Sequence, residues 1–389
     1  MKIAVLSCHL PHPEGDATGR ALLAWCEGAR RLGHDVSVRT WRAPAHPLDM
    51  AQVPSWCHYE ALELPQVPMW REHLHSVMEP RRRIADAGWE PPPGAVVMAD
   101  DQESSPAVVR FERSVATIRH RELMDAMSVR AGFPSALQWE RSERWVARKA
   151  AMTFVHSPRV GKNLPGRTRV VPIGFRAPEH ALSPVEAPVV VLAAHWAWPP
   201  NAAALSTLLR IWPTVRQRVP GATLVVAGRG LNRGDLGTIA GVEALGAFAS
   251  VEEVLGRAGL VAFPCPGSSG PKIKVLEAMA FGVPVLTTPS GAEGLLLDGP
   301  EATGQDAVAV VQRGPAFTER LVQLLLDPSE RAKIGAAGRG VLLRRHSPVA
   351  AARARVEAMA EAFGLNPGTT PAAPIAPLPA PPTPAATQP

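Results

Sequence analysis

The residues best placed to do chemistry lie in one short run, GPKIKVLEAMAFG, from Gly270 to Gly282. Ile273, Leu276 and Ala280 recur at the spacing of a buried helical face, and Gly282 supplies the residue that commonly closes a helix. The polar residues break the usual pattern. Lys272 and Lys274 fall in the first turn, where the backbone dipole is positive and carboxylates are favoured. They suit that place if an anion completes the helix start, and the free N–H groups of a helix N-terminus are themselves an anion site. Glu277 follows Lys274 by three residues, on the same face. A carboxylate accepts hydrogen bonds from two adjacent hydroxyls, the arrangement a ribose diol offers. The chemistry expected is therefore recognition of phosphate beside a diol. Small residues just before the run let backbone N–H groups approach such a ligand, with Ser269 or Gly270 expected as N-cap and Pro271 in the first helical turn. Surface lysines on an ordinary helix–strand connection would give the same pattern.

Around this run, apolar segments alternate with amphipathic ones. KIAVLSC (2–8), DVSVRTW (35–41), AVVMAD (95–100), VATI (115–118), AMTFVH (151–156) and RVVPIG (169–174) read as strands, with helical patterns between them. Such alternation predicts a parallel sheet covered by helices on both faces. Prolines gather in FRAPEHALSPVEAP (175–188), a linker, and the alternation restarts with VVVLAA (189–194) and ATLVVAG (222–228). The expected organisation is α/β: a doubly wound unit over 1–178, a second over 187–346, and a helix over 347–364 returning to the first. Residues 365–389 are rich in Pro, Ala and Thr without charge and read as a disordered tail. Two such units face each other across a cleft, where open α/β sheets bind ligands.

Bulk properties narrow the function. With 389 residues, 46% apolar and 20% charged, the chain can build two cores. A formal charge of +6, one tyrosine and no interleaving of aromatic with basic residues set nucleic acid aside. The run Arg81–Arg83 reads as a solvated face. The cysteines, Cys8, Cys26, Cys57 and Cys265, show no CxxC and no histidine at metal spacing, so free or buried thiols in a reducing cytoplasm are expected. No apolar run has the length of a membrane span, and the N-terminus reads as a first strand rather than a signal peptide.

The segment GPKIKVLEAMAFGVPVLTTPSGAEGL, with AHWAWPPNAAALSTLLRIWPTVRQRVPGATLVVAGRG and GAFASVEEVLGRAGLVAFP before it, resembles the donor domain of retaining glycosyltransferases of family 4, which have the GT-B fold. The resemblance covers roughly residues 187–345 and is loose over the first domain. It implies that Lys272 or Lys274 holds the pyrophosphate of a nucleotide sugar and that Glu277 binds the ribose. The first glutamate of the family's Glu-x7-Glu motif falls on Ser269, a departure that leaves the sugar to be held with help from backbone N–H groups of Ser268, Ser269 and Gly270. Gly246 and Phe248 lie where the base is gripped. His195 and Asn201 lie in the turn after the second unit's first strand, and Asn201 could equally cap the following helix. In HPEGDATGRAL, Gly15 and Gly19 are expected to form a turn approaching the diphosphate, with Arg20 opening a helix. His120 stands where relatives carry a cleft histidine. Asp100, Asp101 and Glu103 could meet an acceptor or be solvated loop acids.

The expected activity is retaining, metal-independent transfer from a UDP- or GDP-sugar to a glycan, lipid-linked or small-molecule acceptor. The nucleotide sugar is a co-substrate and no cofactor is implied. Polysaccharide biosynthesis in the cytoplasm, free or peripheral at the inner membrane face, fits the resemblance. A nucleotide-sugar-binding scaffold without turnover, or another GT-B reaction such as epimerisation, fits the same features.

Overall fold

Mostly apolar segments build the middle of both sheets, because strands covered by helices on each face have no solvated side to alternate toward. The computed structural model describes residues 1–42, 47–60, 89–130, 132–232, 234, 236, 238–248, 250–295 and 307–367. Its first sheet holds β1 (Lys2–Ser7), β2 (Asp35–Thr40), β3 (Cys57–Tyr59), β4 (Val96–Ala99), β5 (Ser114–Ile118), β6 (Met152–Val155) and β7 (Thr168–Val170) in the order β3-β2-β1-β4-β5-β6-β7, every pair parallel. The second holds β8 (Val189–Ala193), β9 (Thr223–Ala227), β10 (Val242–Gly246), β11 (Leu260–Phe263), β12 (Val285–Thr287) and β13 (Ala309–Val310) in the order β10-β9-β8-β11-β12-β13, again parallel.

In each sheet the chain winds outward from its first strand and then returns to that strand's other side. The order therefore reverses between β1 and β4 and between β8 and β11, the switch points where open sheets leave a crevice at their carboxyl ends. The loops after these four strands carry Gly15, Asp100, His195 and the 264–272 segment. Topology, before any side chain is considered, puts the candidate residues there.

Strand cores agree with the sequence reading, while most ends are a residue or more shorter. Asp100 lies beyond β4, and β7 stops at Val170. The short strand β3 and the helices Pro315–Leu326 and Pro328–Arg345 were not expected. The last two did carry a signal: each has proline in its first turn, and the Asp327 side chain caps the second by accepting from Glu330 N at 2.8 Å. The linker forms no regular element through 171–188.

The helix Pro348–Phe363 packs on Ala17–Arg31 and buries Ala351, Val356 and Met359 with Leu22, Trp25 and Ala29. Contact is so close that a Cβ on Gly28 would stand 1.9 Å from Pro348 O. This helix, the last among the described residues, thus belongs to the first core although it follows the second sheet. No helix among the described residues is long and apolar enough to cross a membrane. Arg81–Arg83 and the tail from 368 onward lie outside the described residues.

Candidate functional site

The helix Ile273–Ala280 begins without a side-chain cap, and its N-cap residue is Lys272 in an extended conformation. This corrects the expectation of Ser269 or Gly270 as cap, and Pro271 precedes the helix instead of entering it. The reason is local. Lys272 turns back so that Nζ donates to Ser269 O at 2.7 Å and to Gly270 O, drawing both carbonyls toward the ammonium. The side chain is 2% exposed, and burial lowers its pKa. An ammonium has three donors, so one remains after the loop is tied.

Lys274 reaches in another direction. Its Nζ donates to Asn201 Oδ1 at 2.8 Å and lies 4.2 Å from the Phe263 ring centroid and 5.4 Å from that of Trp198. The aromatic faces partly compensate a cation that burial strips of water. Burial, joined by the charge of Lys272, still pulls its pKa down to about 8. Among the described residues no carboxylate pairs with it directly, so an anion would relieve the desolvation. Asn201 sits in the first turn of Pro199–Arg218, whose N-cap is Trp198, and its amide also donates to His195 O at 2.7 Å. It positions Lys274 instead of capping. The His195 side chain is exposed in the preceding turn.

Glu277 pairs across the cleft with Arg20 of the first domain, which also donates to Gly15 O at 2.7 Å. Both ends of this pair are reachable, with side chains 15% and 28% exposed. Gly15 does lie in a turn, its N–H donating to His12 O. Gly19 does not: it is inside the helix Ala17–Arg31, and a Cβ there would stand 2.2 Å from Leu10 O. That helix is capped by Asp16, whose carboxylate accepts from Gly19 N at 2.7 Å and contacts His9 Nδ1 at 2.9 Å. Burial opposes the charge, but these partners outweigh it and hold the Asp16 pKa well below the usual carboxylate range. A helix start already filled by a carboxylate has little to offer a diphosphate, so of this segment only Arg20 remains suited to one.

The 267–270 loop is clasped by the first domain. Ser269 N donates to Asp125 Oδ1 at 2.7 Å, its Oγ lies 3.1 Å from the same atom, and Arg121 N donates to that Oγ at 2.7 Å. Arg159 donates to Ser268 O at 3.1 Å and Gly267 O at 3.0 Å. Glu293 accepts from Gly270 N at 3.1 Å, Ser157 Oγ at 2.6 Å and Arg159 Nη1 at 2.9 Å. Gly270 has φ +72°, and a Cβ would stand 2.3 Å from Arg119 O. The Ser268 N–H goes to Pro266 O at 2.8 Å. All three loop N–H groups expected to hold a sugar are therefore occupied within the protein, which corrects that expectation. Sequence reading missed Arg121, Asp125, Arg159 and Glu293. Only Glu293, inside the motif-like SGAEGL, carried a local signal.

His120 lies beside this loop, its Cβ 3.0 Å from where one on Gly270 would be. Burial lowers its pKa, but the 2.9 Å contact with Glu122 and the charges of Glu122, Asp125 and Glu143 outweigh that and raise it to about 9. The imidazole is thus a cation at neutral pH. Gly246, at φ +75°, ends β10 in an irregular register and accepts from Gly228 N, while Phe248 is half-buried against the second core.

The acids after β4 are structural. Asp100, fully buried, binds Arg119, Arg355 Nη1 at 2.9 Å and Trp25 Nε1 at 3.2 Å, which anchors the final helix to the first sheet. Asp101 accepts from Ser7 Oγ, Cys8 N and Ser104 N at 2.6–2.8 Å. Both are buried and engaged inside the protein, and Glu103 is 3.9 Å from Arg42. Ligand-type atoms of Cys8, His9 and Asp101 do lie within 4.8 Å of one another, a grouping the spacing of the cysteines did not suggest. Burial and the charge of Asp101 raise the Cys8 pKa. All four cysteines are free.

Residues 187–327 match the family model described as Glycosyl transferases group 1, so the second half of the chain carries a domain of that family. No curated protein matches the sequence. Among solved structures the chain is similar to sucrose-phosphate synthase from Thermosynechococcus elongatus, with a TM-score of 0.71 at 14% identity over 94% of this chain and 99% of that one. It is also similar to HepE from Anabaena in complex with UDP and glucose, with a TM-score of 0.63 at 16% identity over 92% and 99%. WaaG, a glycosyltransferase involved in lipopolysaccharide biosynthesis, gives 0.58 at 13% identity over 93% and 100%. The fold these structures share with the chain is GT-B.

Proposed function

We propose that the chain, a glycosyltransferase by its group 1 domain and GT-B fold, moves a sugar from a UDP- or GDP-sugar to a glycan, lipid-linked or small-molecule acceptor with retention at the anomeric carbon. The observation that carries this reading is the uncapped start of Ile273–Ala280, with Lys274 desolvated beside it and Glu277 one turn further in. The ribose diol binds Glu277, and the diphosphate lies over the helix start against Lys274 and the free donor of Lys272. Arg20, released from Glu277 as the ribose arrives, joins them from the other domain. The acceptor hydroxyl attacks the anomeric carbon, the bond from that carbon to the phosphate oxygen breaks, and the hydroxyl proton passes to the leaving phosphate. Cations fixed before the reaction stabilise the charge developing on that oxygen. Because lysines and arginine supply this charge, the transfer is metal-independent on this reading. His120, as imidazolium, adds a donor beside the sugar-side loop.

HepE, whose structure holds UDP and glucose, makes a UDP-sugar the first donor to try. The test is a thermal-shift series with UDP and GDP on the parent, Glu277→Ala and Lys272→Ala. One diphosphate should stabilise the parent, and both variants should lose most of that shift. Binding equal to the parent in both variants would refute the site assignment. A second reading, a nucleotide-sugar-binding protein without turnover, is favoured by Ser269 and its occupied N–H group. Release of UDP or GDP from UDP-glucose or GDP-mannose in the presence of an acceptor pool separates the two.

A further inference from the structure

One buried acid that clasps the donor loop keeps an oxygen with no role in this account. Asp125, in the helix Glu122–Val129 of the first domain, is 5% exposed. Its Oδ1 is fully occupied by Ser269 N and Ser269 Oγ. Its Oδ2 is shielded from water and has no hydrogen-bond partner among the described residues. Burial raises the Asp125 pKa, while the charges of His120 and Lys272 oppose the rise, which places both cations near it. An orphaned buried carboxylate oxygen is costly and calls for an explanation, of which a functional partner is one.

The shape of a nucleotide sugar indicates which partner. The molecule is linear: ribose, then two phosphates, then sugar. With the ribose at Glu277 and the phosphates at the helix start beside Lys274 and Lys272, continuing in the same direction reaches the 268–270 loop. Asp125 is hydrogen-bonded to that loop at Ser269. We infer, resting on the donor-site reading above, that Asp125 Oδ2 accepts a hydrogen bond from a hydroxyl of the transferred sugar. The first domain thus provides the carboxylate that the donor loop, with serine at 269, does not. Oδ2 is sealed while Ser269 and Asp125 are in contact, so the sugar hydroxyl reaches it only as the domains part and close again around the donor, which ties sugar recognition to domain movement.

Asp125→Asn tests this, because an asparagine keeps the side chain's size and an Oδ1 that accepts from Ser269 while replacing Oδ2 with a donor. Isothermal titration of the full chain would compare UDP with UDP-glucose and GDP with GDP-mannose. For the pair the parent binds, Asp125→Asn should weaken the sugar nucleotide at least tenfold and change the diphosphate less than twofold. Ser269→Ala, which loosens the interdomain contact and leaves Oδ2 in place, should move both ligands in step. If Asp125→Asn leaves the ratio of the two affinities unchanged, Asp125 serves only the domain interface and the inference fails. If the parent binds no diphosphate at all, the donor-site reading fails first and this role with it.

Discussion

Two helices begin at the cleft, one from each domain, and they finish their N-termini in opposite ways. Ala17–Arg31 is closed by its own Asp16, a carboxylate held charged by His9 and the Gly19 N–H. Ile273–Ala280 is left open, with a lysine at the cap position and another in the first turn. Orphan N–H groups and the helix dipole are present at both starts, since they come from the backbone. What differs is who supplies the negative charge. In the first helix the protein does, and stability is the result. In the second it does not, and Lys274 stays desolvated with a depressed pKa until an anion arrives. On the proposed reading, the helix N-terminus that binds the diphosphate is the one from which the chain withholds its own cap.

This contrast can be broken by experiment, most severely at the open helix. Lys274→Ala should lower kcat by ~10²–10³-fold, the typical loss when one preorganised donor to a developing anion is removed. Transfer rates with saturating donor measure this, and a rate near the parent's would show that the open start is not where the leaving group is held. Glu277→Gln should weaken the bound diphosphate about tenfold, since one charge-assisted bond contributes roughly 1.5–3 kcal/mol and the amide retains part of it. Titration with UDP or GDP reads it directly. At the closed helix the prediction reverses in kind. Asp16→Ala should cost about 1 kcal/mol of stability, as cap removals do, and leave diphosphate affinity within error of the parent. A large loss of binding there would mean that the two starts work together.

The smallest effect concerns pH. Lys274 must be protonated to hold an anion, its pKa in the empty protein is about 8, and a bound anion raises it. Diphosphate affinity should therefore be nearly fully present at and below about pH 7 and fall as pH rises through 8, by about twofold between pH 7 and pH 8 and by at most tenfold per unit above. Affinity that is flat across this range would place the anion away from Lys274.

Much of the second domain was legible because its signals are local. Continuous apolar runs specify buried strands, and the misplaced charges of Lys272, Lys274 and Glu277 lie within six residues of one another. The helices Pro315–Leu326 and Pro328–Arg345 were equally local, with proline starts and an Asp327 cap that went unused. Gly19 illustrates the opposite case. Its type suggested a turn, whereas the Leu10 carbonyl packed against it is what excludes a side chain. Asp100 and Asp101 were misread for a similar reason, because nothing near them in sequence announces Arg355 or Ser7 as partners.

The amino-acid sequence alone therefore determined the α/β alternation, the helix that follows β11 of the second sheet and the charges at its start, since each follows from spacing of a few residues along one element. Tertiary structure decided which of those charges is still free. Lys272 is spent largely on two loop carbonyls, Glu277 meets Arg20 from 257 positions away, and Ser269 is held by Asp125 across 144. Hydrogen bonds saturate, so whether a polar group can bind a ligand depends on every donor and acceptor that folding brings within 3 Å or so. That neighbourhood is set by how two sheets and a returning C-terminal helix pack, and no spacing within one element encodes it.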